Sequence, residues 1–178
     1  MGIASPFEPE RLVIALLFPA GADLGPLLAD LEARLGPADF AGPELPFPWT
    51  SYYEGEMGGN LRRGFYSFGR LVDPASLADI KLWTNGLEER RSDGGRRRVN
   101  IDPGLLSLGR FSLATTKERA HRIPLSGGIY AELTLIFERG EWRPLPWTYA
   151  DWRSPEYRAL LAELRERYRL ARRAAFKR

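Results

Sequence analysis

The sequence predicts an α+β domain with a mixed or antiparallel sheet, a β-α-β-β-α-β first half, then a β-hairpin and a C-terminal helix. Three observations predict it. Leu12 to Phe18 is an unbroken apolar run, the signature of a strand buried on both faces. Leucines at helical spacing follow it directly. Late in the chain, Ser126-Gly127-Gly128 joins two apolar segments and reads as a hairpin turn. No repeat or linker interrupts the 178 residues, so residues 1–178 are read as one domain, a normal size for one.

The elements follow in order. Pro19 ends the first strand. Leu24, Leu27, Leu28, Leu31 and Leu35 form the apolar stripe of a helix that Gly36-Pro37 stops. Residues 38–50, with Pro43, Pro46 and Pro48, suit an extended segment or an edge strand. Tyr52 to Gly59 reads as a loop and Leu61 to Val72 as a strand. Asp73-Pro74 is an N-cap followed by proline at the first helical position. Ile80, Trp83 and Leu87 are the buried stripe of that helix, with Lys81, Thr84, Asn85 and Glu88 beside it. Arg97 to Ile101 is a strand, which completes an order like that of ferredoxin-type domains. Asp102-Pro103-Gly104 repeats the cap-plus-proline signal and predicts a short helix or turn. Phe111 to Thr115 fits a strand or a helix. Arg122–Leu125 and Ile129–Glu138 are the hairpin, and Gly140 supplies a turn after it. Trp142 to Trp152 is expected as a loop packed on the body. Ser154-Pro155 opens a last helix striped by Tyr157, Leu160, Leu161, Leu164 and Tyr168.

Composition excludes several chemistries. The chain has no cysteine, so disulfides, thiol catalysis and Cys-ligated zinc or iron–sulfur centres are out, and no haem is expected. One histidine, His121, rules out paired-histidine chemistry within one chain. No apolar run is long enough to span a membrane and no signal peptide is evident, so a cytoplasmic protein without membrane partners is expected. Charge is uneven: residues 153–178 hold nine Lys+Arg against three Asp+Glu, and the rest hold 17 against 20. A second basic block comprises Arg90, Arg91, Arg96, Arg97 and Arg98. Such blocks either bind phosphates or form solvated surface.

Chemistry-bearing residues concentrate between Arg96 and Phe137. Alternation along the second hairpin strand puts Ile129, Ala131, Leu133, Leu135 and Phe137 on a core face, and Tyr130, Glu132, Thr134 and Glu138 on the other. Glu132, between a phenol and a hydroxyl, reads as a general base or cation ligand, or as a solvent-facing glutamate paired across the hairpin with Arg122. His121 lies four residues after Lys117 and reads as an acid–base group near neutral pH or as a ring bonded to backbone. Lys81, Lys117 and Arg122 are the expected anion-holding cations, and Asn85, Asn100, Tyr130 and Thr134 the orienting residues. Asp102 reads first as a helix cap; a metal role would need further carboxylates such as Glu132 and Asp79. Mg²⁺ stays open, because it often uses one or two carboxylates plus phosphates.

Two nucleotide motifs fail. No Gly-Lys pair exists for a P-loop, and no strand leads into Gly-x-Gly-x-x-Gly. Thr116-Lys117-Glu118-Arg119 lacks the acid of the guanine-reading motif of GTPases. Arg63-Gly64-Phe65-Tyr66-Ser67-Phe68 begins like an RNA-recognition signature but carries Ser67 where the next stacking ring belongs.

Several segments together resemble one bacterial and archaeal family, domain of unknown function 4416. They are Tyr52-Tyr53-Glu54-x-Glu56-Met57-Gly58, Leu77-Ala78-Asp79-Ile80-Lys81-Leu82-x-Thr84-Asn85 and Arg97-Arg98-Val99-Asn100-Ile101-Asp102-Pro103-Gly104. Further on come Leu113-Ala114-x-Thr116-Lys117, His121-Arg122-Ile123, Gly128-Ile129-Tyr130-Ala131-Glu132-Leu133-Thr134-Leu135 and Pro146-Trp147-Thr148-Tyr149-x-Asp151. The resemblance covers nearly the whole chain. It implies no established activity, although members are sometimes labelled GTP-binding.

Three functional expectations follow. The first is a protein that binds a small phosphorylated or anionic ligand, a nucleotide among the candidates, with Glu132 or His121 moving protons if chemistry follows. The second is an RNA-binding module using the basic 90–98 segment and the C-terminal helix. The third is a scaffold whose proline- and aromatic-rich stretches, 43–53 and 142–152, meet a protein partner. Whether the protein is an enzyme, its cofactor and its oligomeric state are left open by the sequence.

Overall fold

A computed structural model describes residues 2–175. Nine strands and four helices follow one another as β1 (Arg11–Pro19), α1 (Gly25–Leu35), β2 (Ala38–Ala41), β3 (Leu45–Pro46), α2 (Glu54–Met57), β4 (Leu61–Phe68), α3 (Leu77–Arg90), β5 (Asn100–Leu106), β6 (Arg110–Thr115), β7 (Arg122–Pro124), β8 (Tyr130–Glu138), β9 (Glu141–Pro144) and α4 (Pro155–Ala175). All nine strands belong to one sheet in the order β2-β4-β1-β5-β6-β8-β7, with β3 added to β4 and β9 to β8. Every pairing is antiparallel. Strand β4 lies between β1 and β2, which α1 connects, and β5 adds beyond β1. This is the split β-α-β order expected for the first half.

The sheet is covered on both faces. Leu12, Ile14, Leu16 and Phe18 of β1 face a core with Leu27 and Leu31 of α1 and Ile80 and Leu87 of α3. Val13 and Ala15 face a second core, with Tyr157, Leu161, Leu164 and Tyr168 of α4 and an aromatic cluster of Phe65, Phe111 and Trp152. The unbroken apolar run of β1 is thus explained by burial on both sides. Phe65 is fully buried under α4, so it offers no stacking surface to a base. Among the described residues no helix is long and apolar enough to cross a membrane.

Asp73 caps as expected: its side chain accepts from the Ala75 N–H, and a short 3-10 turn leads into α3. Ser154 Oγ accepts from Tyr157 N–H at the start of α4. In the β7–β8 hairpin, Gly127 and Gly128 take φ of 58° and 76°, conformations that glycine adopts without a Cβ penalty.

Four sequence expectations need correction. Tyr52–Gly59 contains the one-turn helix α2, and Trp142–Trp152 begins with β9, paired to Leu135–Glu138. Asp102-Pro103-Gly104 opens no helix: it is the middle of β5, with Asp102 opposite Ala15 and Pro103 opposite Ile14. Strand β6 pairs β5 only from Gly104 to Leu106, so Pro103 sits where β5 has no neighbour on that side. A proline, lacking an N–H, is tolerated at such an edge. The expected apolar face of β8 is also split. The β6–β8 register jumps from Phe111↔Leu135 to Ser112↔Leu133, leaving Thr134 as the extra residue of a bulge. The jump reverses the alternation: Ile129 and Ala131 join the core under α3, and Leu135 and Phe137 the one under α4.

Candidate functional site

The cavity arises where β5 and β6 part. Beyond Gly104↔Leu113 the two strands no longer pair, and Asn100–Pro103 of β5 is bonded only to β1. The open backbone edge of β5 is met by side chains of α3. Lys81 Nζ donates to Ile101 O at 2.7 Å, and the Ile101 N–H donates to Glu88 Oε1 at 2.7 Å. Lys81, Asn85 and Glu88, at i, i+4 and i+7, present one helix stripe to this fork. The burial of Lys81 and Glu88 is explained by the need to satisfy backbone groups that a neighbouring strand would otherwise bond.

The resulting cavity has a volume of about 590 Å³, within the range of small-molecule sites, roughly 300–1,000 Å³. Segment 47–53 contributes Trp49, Tyr52 and Tyr53 to it, and segment 149–152 contributes Tyr149, Asp151 and Trp152. The two aromatic stretches that the sequence offered as a protein interface therefore meet at the same cavity.

One wall carries a chain of alternating charges. Asp151 Oδ2 lies 3.4 Å from Arg63, whose other terminal nitrogen donates to Asp102 Oδ2 at 2.9 Å. Asp102 Oδ1 lies 3.8 Å from Lys81, which is 3.7 Å from Glu88. Glu88 is 3.9 Å from Arg97, which grips Glu56 at 2.5 Å. Asn100 bridges the ladder, donating to Asp102 at 2.8 Å and accepting from Arg97 at 3.2 Å. The carboxyls respond differently to these surroundings. Burial favours the protonated form of Asp102, but Lys81 and Arg63 outweigh it and hold the group below the usual range. Burial dominates at Asp151 and at Glu88 and raises both, against the pull of Arg63 on the first and Lys81 on the second. Burial, aided by the Asp102 charge, pushes the Tyr53 phenol up to about 12.

The opposite wall comes from β6, β8 and the loop after β6. Glu132 is 2 % exposed. Its Oε2 accepts from Arg122 Nε at 2.7 Å and lies 3.1 Å from His121 Nε2. The His121 ring is stacked on Trp147, centroids 5.0 Å apart and planes within 13°. Arg122 also donates to Lys117 O at 2.7 Å and to the Tyr149 hydroxyl at 3.2 Å. Lys117 differs from the other cations. Its Nζ sits over the Tyr52 ring, 4.6 Å from the centroid, and has no carboxylate partner among the described residues.

Of the residues singled out from sequence, Lys81, Asn85, Asn100, Asp102, Lys117, Arg122 and Glu132 line this one cavity. His121 stands behind Glu132 rather than on the cavity surface. Tyr130 and Thr134 are not brought to it: Thr134 is the buried bulge residue, bonded through its carbonyl to Thr148 Oγ1 at 2.5 Å. Glu132 pairs with Arg122 across the hairpin, as one reading had it, but buried rather than in solvent. Asp102 faces cations and an amide, and no cluster of three or more metal-ligating side chains occurs among the described residues. Arg63, Glu88, Arg97 and Asp151 were not expected here. The sequence signal for Arg63 is the pair of charges Arg62-Arg63 in an otherwise uncharged strand segment.

The basic blocks are largely engaged. Arg91 bonds Asp30, Arg98 bonds Asp93, and Arg97 turns into the cavity. On α4, Arg167 pairs with Glu163, Arg169 with Glu166 and Arg172 with Glu8. Lys177 and Arg178 of the basic C-terminal end lie outside the described residues.

A family model described as a domain of unknown function (DUF4416) matches residues 8–168. Searches of curated proteins and of solved structures each return no match.

Proposed function

The chain belongs to the DUF4416 family, and on that premise we propose that its cavity binds a small anionic ligand carrying a flat ring, a mononucleotide being the simplest fit. The observation that carries the reading is the placement of Lys117. It is a cation without a carboxylate partner among the described residues, at a cavity rimmed by the exposed rings of Trp49, Tyr52 and Tyr149. The remaining cations, Arg63, Lys81, Arg97 and Arg122, are each held by carboxylates or carbonyls. An incoming anion therefore competes least at Lys117. Thr116 lines the cavity beside it, and aromatic rims stack planar ligands at modest entropic cost. If chemistry follows binding, Glu132 is the acid–base group at the cavity surface, and His121 acts on it from behind.

Thermal-shift and calorimetric titration with nucleoside monophosphates, the matching nucleosides and sugar phosphates tests this. Stabilisation by the monophosphates is expected, weaker binding of the nucleosides, and loss of the difference in Lys117→Ala. Stabilisation by none of these ligands overturns the reading. The RNA-binding alternative rests on arginines that mostly face carboxylates here, and a gel shift at low salt separates it from the small-ligand reading.

A further inference from the structure

Glu132 holds its two carboxylate oxygens in unlike states. Oε2 accepts the Arg122 Nε–H at 2.7 Å and lies 2.7 Å from the second Arg122 nitrogen and 3.1 Å from His121 Nε2. Oε1 has no hydrogen-bond partner among the described residues, and the residue lines the cavity while being 2 % exposed. Three independent devices fix this arrangement. The cross-strand register Arg122↔Glu132 sets the guanidinium against the carboxylate. The Lys117 carbonyl and Tyr149 hydroxyl fix the far end of Arg122. Trp147, itself tied to Leu133 O at 2.8 Å, fixes the His121 ring. With Oε2 so held, Oε1 is an acceptor without a partner among the described residues, on a residue that lines the cavity. Enclosed polar groups of this kind discriminate strongly, because a ligand without the matching donor leaves them unpaired.

We propose that Glu132 is the specificity-determining residue of the cavity, selecting ligands whose ring edge presents an N–H donor to Oε1. This rests on the reading of the cavity as a site for a ring-bearing anion. Lys117 and Glu132 then have separate roles, the cation taking the anionic group and the carboxylate reading the ring. The arrangement also predicts what an isosteric change does. In Glu132→Gln, the Arg122 guanidinium, which can only donate, still requires an acceptor, so the amide oxygen takes the place of Oε2. The amide NH₂ then takes the place of Oε1. The free group becomes a donor, and the preference for ring-edge donors turns into one for ring-edge acceptors.

The experiment is calorimetric titration of the full chain with three mononucleotide probes of one shape. Adenosine monophosphate carries an amine, inosine monophosphate a ring N–H, and purine riboside monophosphate ring acceptors only. The wild-type protein is expected to bind the first two at least about tenfold tighter than the third. Glu132→Gln is expected to cancel or reverse that ratio, whereas Lys117→Ala weakens all three alike. Equal wild-type binding of all three, still sensitive to Lys117→Ala, overturns the proposal and leaves the cavity reading standing. Binding of none overturns both. The wild-type ratio decides the matter even if Glu132→Gln fails to fold.

Discussion

The two walls of the cavity hold similar charges in opposite states. On the wall built from β4, α3 and β5, each charge has an opposite neighbour within 4 Å, from Asp151 through Arg63, Asp102, Lys81 and Glu88 to Arg97. On the wall built from β6, β8 and the loop between β6 and β7, the Lys117 ammonium meets only a tyrosine ring and one Glu132 oxygen has no hydrogen-bond partner among the described residues. The first wall replaces a missing strand: Lys81 and Glu88 bond the backbone of Ile101 where β6 has turned away. The second wall has no such structural obligation at Lys117. Its open groups are therefore the ones available to a ligand, and the paired wall is what keeps the fork from collapsing. Mutation should separate the two roles.

The largest effect is expected at Arg63. Its side chain is 3 % exposed and sits between two carboxylates. Arg63→Met leaves Asp102 and Asp151 facing each other in the interior without their shared cation. Removing one partner of a buried ion pair destabilises by about 3–5 kcal/mol, and chemical denaturation should show a loss in that range. A loss below about 1 kcal/mol, the level of a surface pair, would mean that the ladder is not what holds this wall.

How much of this contrast could be read without the structure depends on sequence distance. Lys81 and Asn85 were legible as a pair because a helix puts i and i+4 on one face. The β7–β8 hairpin and its Arg122–Glu132 pairing were legible because a glycine turn fixes register locally. Arg63 and Asp151 were not, because they are 88 positions apart and only the tertiary fold brings them together. Asp102-Pro103 misled for a different reason. Its local preference for capping a helix is worth about 1 kcal/mol, and this is overridden by pairing with β1 at a position where the sheet is open on its other side. The bulge at Thr134 is invisible to an alternation rule, since one extra residue reverses the phase without any change in composition.

A finer separation lies within the paired wall, between the two carboxylates that share Arg63. Asp102 has a lowered pKa in the folded state, so its contribution is present above the unfolded value of about 3.9 and is lost as pH falls through the folded value. Asp151 has a raised pKa because burial outweighs Arg63, so its contribution improves as pH falls through the raised value. The sign of each therefore predicts opposite slopes. Asp102→Asn should cost about 1–3 kcal/mol at neutral pH, a deficit that shrinks on acidification. Asp151→Asn should cost less, and wild type should gain on it as the pH drops. Denaturant unfolding of the three proteins between about pH 3 and pH 7 reads the slopes. Parallel curves would show that the two carboxylates are equivalent and that burial does not distinguish them.

The smallest effect on stability is expected at Lys117, and there it is the smallness that matters. Its ammonium contacts only the Tyr52 ring among the described residues, and Tyr52 is itself 59 % exposed. An exposed cation–π contact contributes about 0.5–1 kcal/mol at most, and substitution at such a surface site usually falls within about 0.5 kcal/mol. Lys117→Ala should therefore unfold at nearly the wild-type denaturant concentration, with an unchanged dependence on denaturant. The same variant should lose most of its response to a phosphorylated ligand. The two variants then differ in kind: Arg63→Met changes stability first and binding as a consequence, while Lys117→Ala changes binding with the fold intact. If Lys117→Ala instead destabilised the protein as Arg63→Met does, Lys117 would have a structural partner. The open wall would then be as occupied with the fold as the paired one, and the cavity would lose its best candidate for an anion-binding group.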